Sequence, residues 1–339
     1  MKGVSIVICC YNSGERLIQT LFHLAKQKKF EGIGYELVII DNNSSDNTVS
    51  VASKAWTALG NPFPCLFLVQ PIPGLKYAKD LGVQAANYDY IVMCDDDNWL
   101  CESYSSKVYQ LFESMPHVVA IGGVGEPIFD GEPPKWFQRV GGFGYAIGDE
   151  GRETGLVESV YGAGMSIRKS IYIAITNVYQ KSVLTGRMGD NLSSGEDTEL
   201  CLLIRKAGYD IYLDKSLSFK HFLARKRLNW TYYIKLRMAF GKAAAYLLIY
   251  NEEPSPIKIF CSELGRLNHL ILLIRLIASN LRYFFFPRLF KNKSCGHFIQ
   301  RYSMLKTIVA KHKILQSFLN EFINKNTGGN LVKMPKVIP

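Results

Sequence analysis

A disulfide framework is the first thing missing from this chain of 339 residues. Its eight cysteines include no CxxC pair, and Cys9, Cys10, Cys65, Cys94 and Cys201 stand inside apolar runs. They read as reduced core thiols of a cytoplasmic protein. Internal repeats and low-complexity segments are absent too, which excludes a solenoid. At 48% hydrophobic residues the chain affords a sizeable core, which excludes global disorder. No secretory signal is read at its start, because Met1-Lys2-Gly3 leads straight into the short run Val4–Cys10 and a polar turn. An uninterrupted membrane span is also lacking. The segment Leu264–Phe286 is long enough, but Arg266, His269, Arg275 and Arg282 break it. Spanning would bury Arg275 near mid-membrane at about 2.5–3.5 kcal/mol. A helix lying on the membrane surface avoids that cost, and so does a helical cap packed against the rest of the protein.

Acidic residues are scarce in one place only. From Ser255 onward there are 14 Lys/Arg against 2 Asp/Glu, a net of +12, and the chain totals +11, so the first 254 residues carry 11 − 12 = −1. A basic tail on a near-neutral body implies an anionic partner. Its cations are interleaved with aliphatic and aromatic stretches, which fits a membrane surface and not nucleic acid.

What is present in the first half is strand–helix alternation. Strands are expected at Val4–Cys10, Tyr35–Ile40, Leu66–Val69, Tyr90–Cys94 and Val118–Gly122. Helices are expected at Glu15–Gln27, from Ser45 or Asp46 as cap to about Leu59, at Leu75–Ala86 and at Glu102–Met115. Beyond a loose Gly, Pro and aromatic region at 125–159, the pattern gives a strand at Tyr161–Ile167 and a helix at Asp197–Ala207. Short strands follow at Tyr209–Leu213 and Leu217–Lys220. This is an α/β pattern with a mostly parallel sheet and helices on both faces. Ligands of such sheets bind beyond the strands' C-terminal ends, where Tyr11-Asn12, Asp41 and Asp95–Asp97 all fall.

Asp95-Asp96-Asp97 follows the apolar run Tyr90–Cys94 directly. Adjacent carboxylates repel one another, so a compensating cation is expected there. Oxygen ligands suit Mg²⁺ or Mn²⁺ bridging to a diphosphate; the competing reading is a solvated acidic turn. Asp41 can accept a hydrogen bond from a uracil imide, or serve as a turn residue. Gly74 allows a tight turn, and Lys79 is either a phosphate cation or a solvent-facing helix residue. Gly195-Glu196-Asp197 sets carboxylates at a helix start, where the dipole favours an ionised base, although acidic residues are ordinary in any first turn. His221 is a structural strand-end histidine or a ligand. Arg227 and Arg237 either neutralise phosphates or solvate a helix face. Trp136 either stacks on a sugar ring or packs in a core.

In order and spacing these segments resemble the family 2 inverting glycosyltransferases of the A-type nucleotide-diphospho-sugar fold. The resemblance runs through Val4–Asn12, Val38–Thr48, Gly74–Gly82, Tyr90–Asp97, Tyr161–Arg168 and Ser194–Leu200, and covers about residues 4–241. It implies a Rossmann-like sheet flanked by helices with a helical C-terminal extension: a catalytic domain over 1–254 and the basic tail over 255–339. It further implies that Cys10, Tyr11, Asn12 and Asp41 hold the nucleotide base, while Gly74, Lys79, Asp95 and Asp96 bind the rest of the donor. Asp97 is implied as the direct metal ligand, with Asp95 and His221 beside it. Asp197 is implied as the base, with Glu196 its neighbour in acceptor binding and Arg227 at the family's usual distance after His221; Trp136, in the 125–159 region, is expected to border the acceptor. The implied donor is a nucleotide-diphospho-sugar, UDP-sugar by default. The implied acceptor is a glycan or lipid-linked glycan of bacterial surface assembly, at the inner face of the membrane.

Two departures stand out. The family's loop Arg-Asn is Lys79-Asp80 here, and Lys loses the bidentate geometry of Arg. The Gln-x-x-Arg-Trp motif of processive synthases is missing, so one sugar per encounter is expected. Two rivals share some of these features. A sugar nucleotidyltransferase would carry a Gly-rich basic loop after its first strand, which Tyr11-Asn12-Ser13-Gly14-Glu15 is not. A non-catalytic sugar-nucleotide or glycan-binding relative would not need both carboxylate clusters.

Overall fold

A computed structural model describes residues 2–140, 145, 147–148, 151–178, 184, 186–188, 192–250, 299–300, 302–304 and 306–307. The expected tail helix at Leu264–Phe286 lies outside them. Elements run in the order β1 (Gly3–Cys10), α1 (Gly14–Ala25), β2 (Gly34–Asp41), α2 (Thr48–Ala58), β3 (Cys65–Val69), α3 (Leu75–Ala85), β4 (Tyr90–Asp95), β5 (Asn98–Leu100) and α4 (Tyr104–Ser114). They continue with β6 (Val118–Phe129), α5 (Phe137–Val140), β7 (Gly155–Leu156), β8 (Ser166–Arg168), α6 (Lys169–Val178), α7 (Glu196–Lys206), β9 (Asp210–Leu223) and α8 (Trp230–Leu247). Among the described residues no helix is long and apolar enough to cross a membrane.

The chain divides into two compact units. The first holds Met1–Glu132 and Ala146–Arg225, and the second holds Pro133–Tyr145 and Lys226–Lys333. In the first unit one sheet runs β3-β2-β1-β4-β8-β6-β9-β5, with β7 beside β9. β3, β2, β1 and β4 are parallel, as are β6 and β9. β8 is antiparallel to both its neighbours, and β5 and β7 are antiparallel to β9.

Period-two alternation sorts the two faces of the sheet. Val4, Ile6, Ile8 and Cys10 of β1 join a core with Leu17, Leu21 and Leu24 of α1, Ala52 and Trp56 of α2, and Tyr104, Val108 and Phe112 of α4. On the other face Val7 and Ile40 meet α3 at Gly82, where a methyl group would overlap the Val7 side chain. The last glycine of the Gly74–Gly82 loop therefore sets how closely α3 approaches the sheet.

Four expectations need correction. The strand expected at Tyr161–Ile167 is only Ser166–Arg168, because Gly164 takes φ +71° and Met165 N–H closes a turn onto Gly162 C=O at 3.2 Å. The two short strands after Tyr209 are one continuous β9, which absorbs a register shift against β6 between Gly122 and Val124. β6 continues to Phe129, seven residues past the expected end, because β9 pairs with it that far. The helix after Asp46 begins at Thr48, whose N–H donates to Asp46 Oδ1 at 3.0 Å. The strand β5, immediately after the three aspartates, was not anticipated at all.

Candidate active site

Register brings the expected base-binding and metal residues level. Cys10 pairs with Asp41 across β1 and β2, and Cys9 pairs with Asp95 across β1 and β4. Asp41 is 7% exposed. Its Oδ2 accepts from Ser44 N–H at 3.3 Å, while its buried Oδ1 has no hydrogen-bond partner among the described residues. An orphaned buried carboxylate oxygen is costly unless something donates to it. Around it the loops are tied together. Asn12 takes φ +49°, and its Oδ1 accepts from Ser45 N–H at 2.8 Å. Buried Asn42 donates to Gln70 and Ile72 carbonyls and accepts from Gly74 N–H at 2.8 Å, which fixes the Gly74 turn. Tyr11 is 43% exposed beside them.

The three aspartates point three ways. Asp96 turns to α1: Arg16 donates to its two oxygens at 2.9 and 2.7 Å, and the Ser13 hydroxyl donates to it as well. The Thr20 hydroxyl donates to its carbonyl at 2.9 Å. The cation that Asp96 requires is thus Arg16, and its carboxylate anchors a helix; its expected donor contact is not what these bonds support. Asp97 is 4% exposed, and its Oδ1 lies 3.6 Å from His221 Nε2. His221 sits inside β9, paired with Asn98, and its Nδ1 lies 3.2 Å from Ile147 C=O. A carbonyl only accepts, so Nδ1 carries a proton and Nε2 faces the carboxylate. A ring nitrogen and a carboxylate oxygen so placed can share a cation or a proton. Half-buried Asp95 has its carboxyl raised by burial and then by Asp97, against the pull of Lys79, His221 and Arg187.

Asp197 stands in the first turn of α7, after Gly195 in the left-handed region at φ +99°. Its Oδ2 accepts from Gly162 N–H at 2.8 Å, and its Oδ1 accepts from Thr198 N–H at 2.7 Å. Burial and then Glu196 raise its carboxyl, opposed by Lys79 and the two N–H groups. The helix start was expected to favour the ionised form; here burial outweighs it. Lys79 is not solvent-facing: its Nζ lies 3.3 Å from Glu196 Oε1, and both side chains are 14% exposed. Burial pulls the Lys79 ammonium down, but Glu196, Asp95 and Asp197 together hold it above its ordinary value. The unusual Asp80 accepts from Tyr172 Oη and Lys76 Nζ, each at 2.6 Å, and so ties α3 to α6.

Among the described residues no group of three or more His, Cys, Asp or Glu forms a protein-only metal cage. The Asp97–His221 pair nevertheless fits a hard divalent ion that draws its remaining ligands from water and substrate phosphates. The Nδ1–carbonyl bond orients the ring as metal-binding histidines are oriented. Trp136 and Arg227 lie in the second unit. There Trp136 packs against Trp230, Tyr145 and Tyr233 with centroids 5.2, 6.4 and 5.9 Å away, and the Arg227 carbonyl accepts from Tyr145 Oη at 3.0 Å. Sequence reasoning missed Arg16 and Arg187, which no local pattern marks, and gave no role to Asn42 and Gly162, although they lie within the segments Val38–Thr48 and Tyr161–Arg168.

Residues 5–175 match the family model described as Glycosyl transferase family 2. The glucosyl-dolichyl phosphate glucuronosyltransferase of Haloferax volcanii is 23% identical over 182 residues, which are 52% of this chain and 56% of that protein. The poly-β-1,6-N-acetyl-D-glucosamine synthase of Staphylococcus aureus (strain COL) is 30% identical over 124 residues, 37% of this chain and 28% of that one. The chain thus spans little more than half the length of these curated relatives, or less. Among solved structures, S. aureus TarS 1-349 in complex with UDP-GlcNAc is similar at TM-score 0.50 and 14% identity, over 96% of this chain and 81% of that chain. GalNAc-T7 with UDP, GalNAc and Mn²⁺ is similar at TM-score 0.51 and 14% identity, over 75% and 52%.

Proposed function

The chain belongs to glycosyl transferase family 2 and has the A-type fold of these enzymes, and from that premise we propose that it moves one sugar from a nucleotide-diphospho-sugar to a hydroxyl acceptor with inversion at the anomeric carbon. The observation that carries this reading is that Lys79, whose ammonium lies in the field of Asp95 at the end of β4, lines one pocket with Gly162, Glu196 and Asp197. This supports a donor end and a base that serve one site. The orphaned Oδ1 of Asp41 supports a base with an imide N–H, which favours uracil. UDP is also the nucleotide in the two similar structures named above.

In the proposed reaction Asp197 takes the proton from the acceptor hydroxyl. Its Oδ2 keeps a lone pair beyond the bond from Gly162 N–H, whereas Oδ1 also accepts from the Thr198 hydroxyl at 3.4 Å. The hydroxyl oxygen bonds to the anomeric carbon as the bond to the diphosphate breaks on the opposite face, and the electron pair leaves with the diphosphate. Asp97 and His221, with Asp95 beside them, would hold Mg²⁺ or Mn²⁺, which supplies positive charge to the leaving diphosphate. Glu196 fixes Lys79 and borders the acceptor side. The acceptor is proposed to be a glycan or lipid-linked glycan of bacterial surface assembly, met at the inner face of the membrane by a peripheral enzyme.

A thermal-shift series tests donor and metal together. Mn²⁺ with a saturating UDP-sugar should raise Tm, and about 2.7 kcal/mol is expected at a hundred times the dissociation constant. Asp97→Ala should lose the Mn²⁺-dependent part. A variant that keeps it removes Asp97 from the metal site, and a wild type unmoved by any nucleotide sugar removes the donor reading.

A further inference from the structure

Lys79 stands where the family pattern has an arginine, and Glu196 already holds it at 3.3 Å with both side chains largely buried. Its Nζ is turned toward Gly162, where an added Cβ would lie 3.3 Å away. A lysine so placed spends one of its three N–H donors on Glu196 and has no planar fork, so it can offer a diphosphate only single-point contacts. A bidentate contact must come from elsewhere.

Arg187 is half-buried. Its backbone is fixed, since Leu75 N–H, the first of α3, donates to its carbonyl at 2.9 Å. The preceding Gly186 takes φ +72° and is wedged so closely that a Cβ would lie 3.2 Å from Leu75 Cβ and 3.1 Å from the Glu196 carboxyl carbon. The segment is thus clamped between the Gly74 turn, which Asn42 fixes beside Asp41, and the start of α7. Among the described residues no hydrogen bond or ion pair engages the guanidinium, although its field reaches Asp95. An arginine carries five N–H donors, and on a half-buried segment whose backbone is fixed they are held ready to exchange water for the oxygens of a ligand. We propose that Arg187 is the diphosphate-binding residue of the donor site, taking over the fork-like contact that Lys79 cannot make. A guanidinium suits this task because its paired N–H groups match two phosphate oxygens.

The proposal rests on the nucleotide-diphospho-sugar reading above. It is tested by calorimetry on the full chain with UDP, uridine and inorganic pyrophosphate, each with Mn²⁺. Arg187→Ala should weaken UDP and pyrophosphate about 10- to 100-fold and leave uridine within about twofold. Arg187→Lys should recover only part of the loss, which a purely structural role would not produce. Melting curves of both variants show whether they are folded; if Arg187→Ala is not, Arg187→Lys against wild type decides by the same UDP-to-uridine ratio. UDP binding unchanged in the variants overturns the role of Arg187 alone, and so does equal weakening of UDP and uridine. A wild type that binds neither UDP nor pyrophosphate overturns the donor reading and this inference together.

Discussion

Asp197 shows what a single side chain can be asked to do. To accept a proton it must be ionised, yet burial and Glu196 both raise its carboxyl. On the proposed role, its base form is therefore lost as pH falls through a value above that of an exposed aspartate. The acid limb of kcat/KM should lie higher than an exposed aspartate would give, and a limb near pH 4 would show that Asp197 is not the group titrating. Asp197→Asn should lower kcat by about 10²–10⁴ while calorimetry finds nucleotide affinity unchanged. The same shift has a sign for stability: the folded chain binds this proton more readily than the unfolded chain. Its contribution falls as pH rises from the unfolded carboxylate value through the raised one. The positions of Asp41 and Asp95 were legible beforehand, because the apolar runs that end in them mark strand ends. Partners were not. Nothing near Arg16 announces that it neutralises Asp96, nor near Glu196 that it holds Lys79, since such pairs join residues far apart in the chain.

Helices and strands were legible where one hydrophobic period runs unbroken. The leucines of α1 and the alternation of β1 gave both elements to within two residues or so. Legibility failed where pairing overrides local pattern. β9 reads as two strands because Asp214-Lys215-Ser216 is polar, yet it stays extended against β6 on either side of the shift. β5 has only three residues, too few for any period, and exists because β9 offers it an edge. Gly82 belongs to the same scale. Alanine there gains roughly 1 kcal/mol of helix propensity but must displace a stiff Val7 side chain, at about 1–3 kcal/mol. Gly82→Ala should therefore lower stability by up to about 2 kcal/mol in a urea titration; a midpoint that rises would mean that α3 simply moves outward.

At the level of the whole chain, charge is the property left to test. The net of +12 from Ser255 onward should carry the protein to anionic vesicles in flotation, with binding weakened by salt as surface attraction is screened. Flotation unaffected by removal of residues 255–339 would remove the tail from that role. The order of the parts along the chain has a different consequence. The family match ends at residue 175, after Asp41, Asp95 and Asp97 but before Asp197 and His221. His221 reaches Asp97 only because β9 is inserted into a sheet begun more than a hundred residues earlier. During synthesis, the emerging protein would own its acidic residues long before it owned their counterparts. On the proposed roles of Asp197 and His221, a product truncated before β9 would be inert.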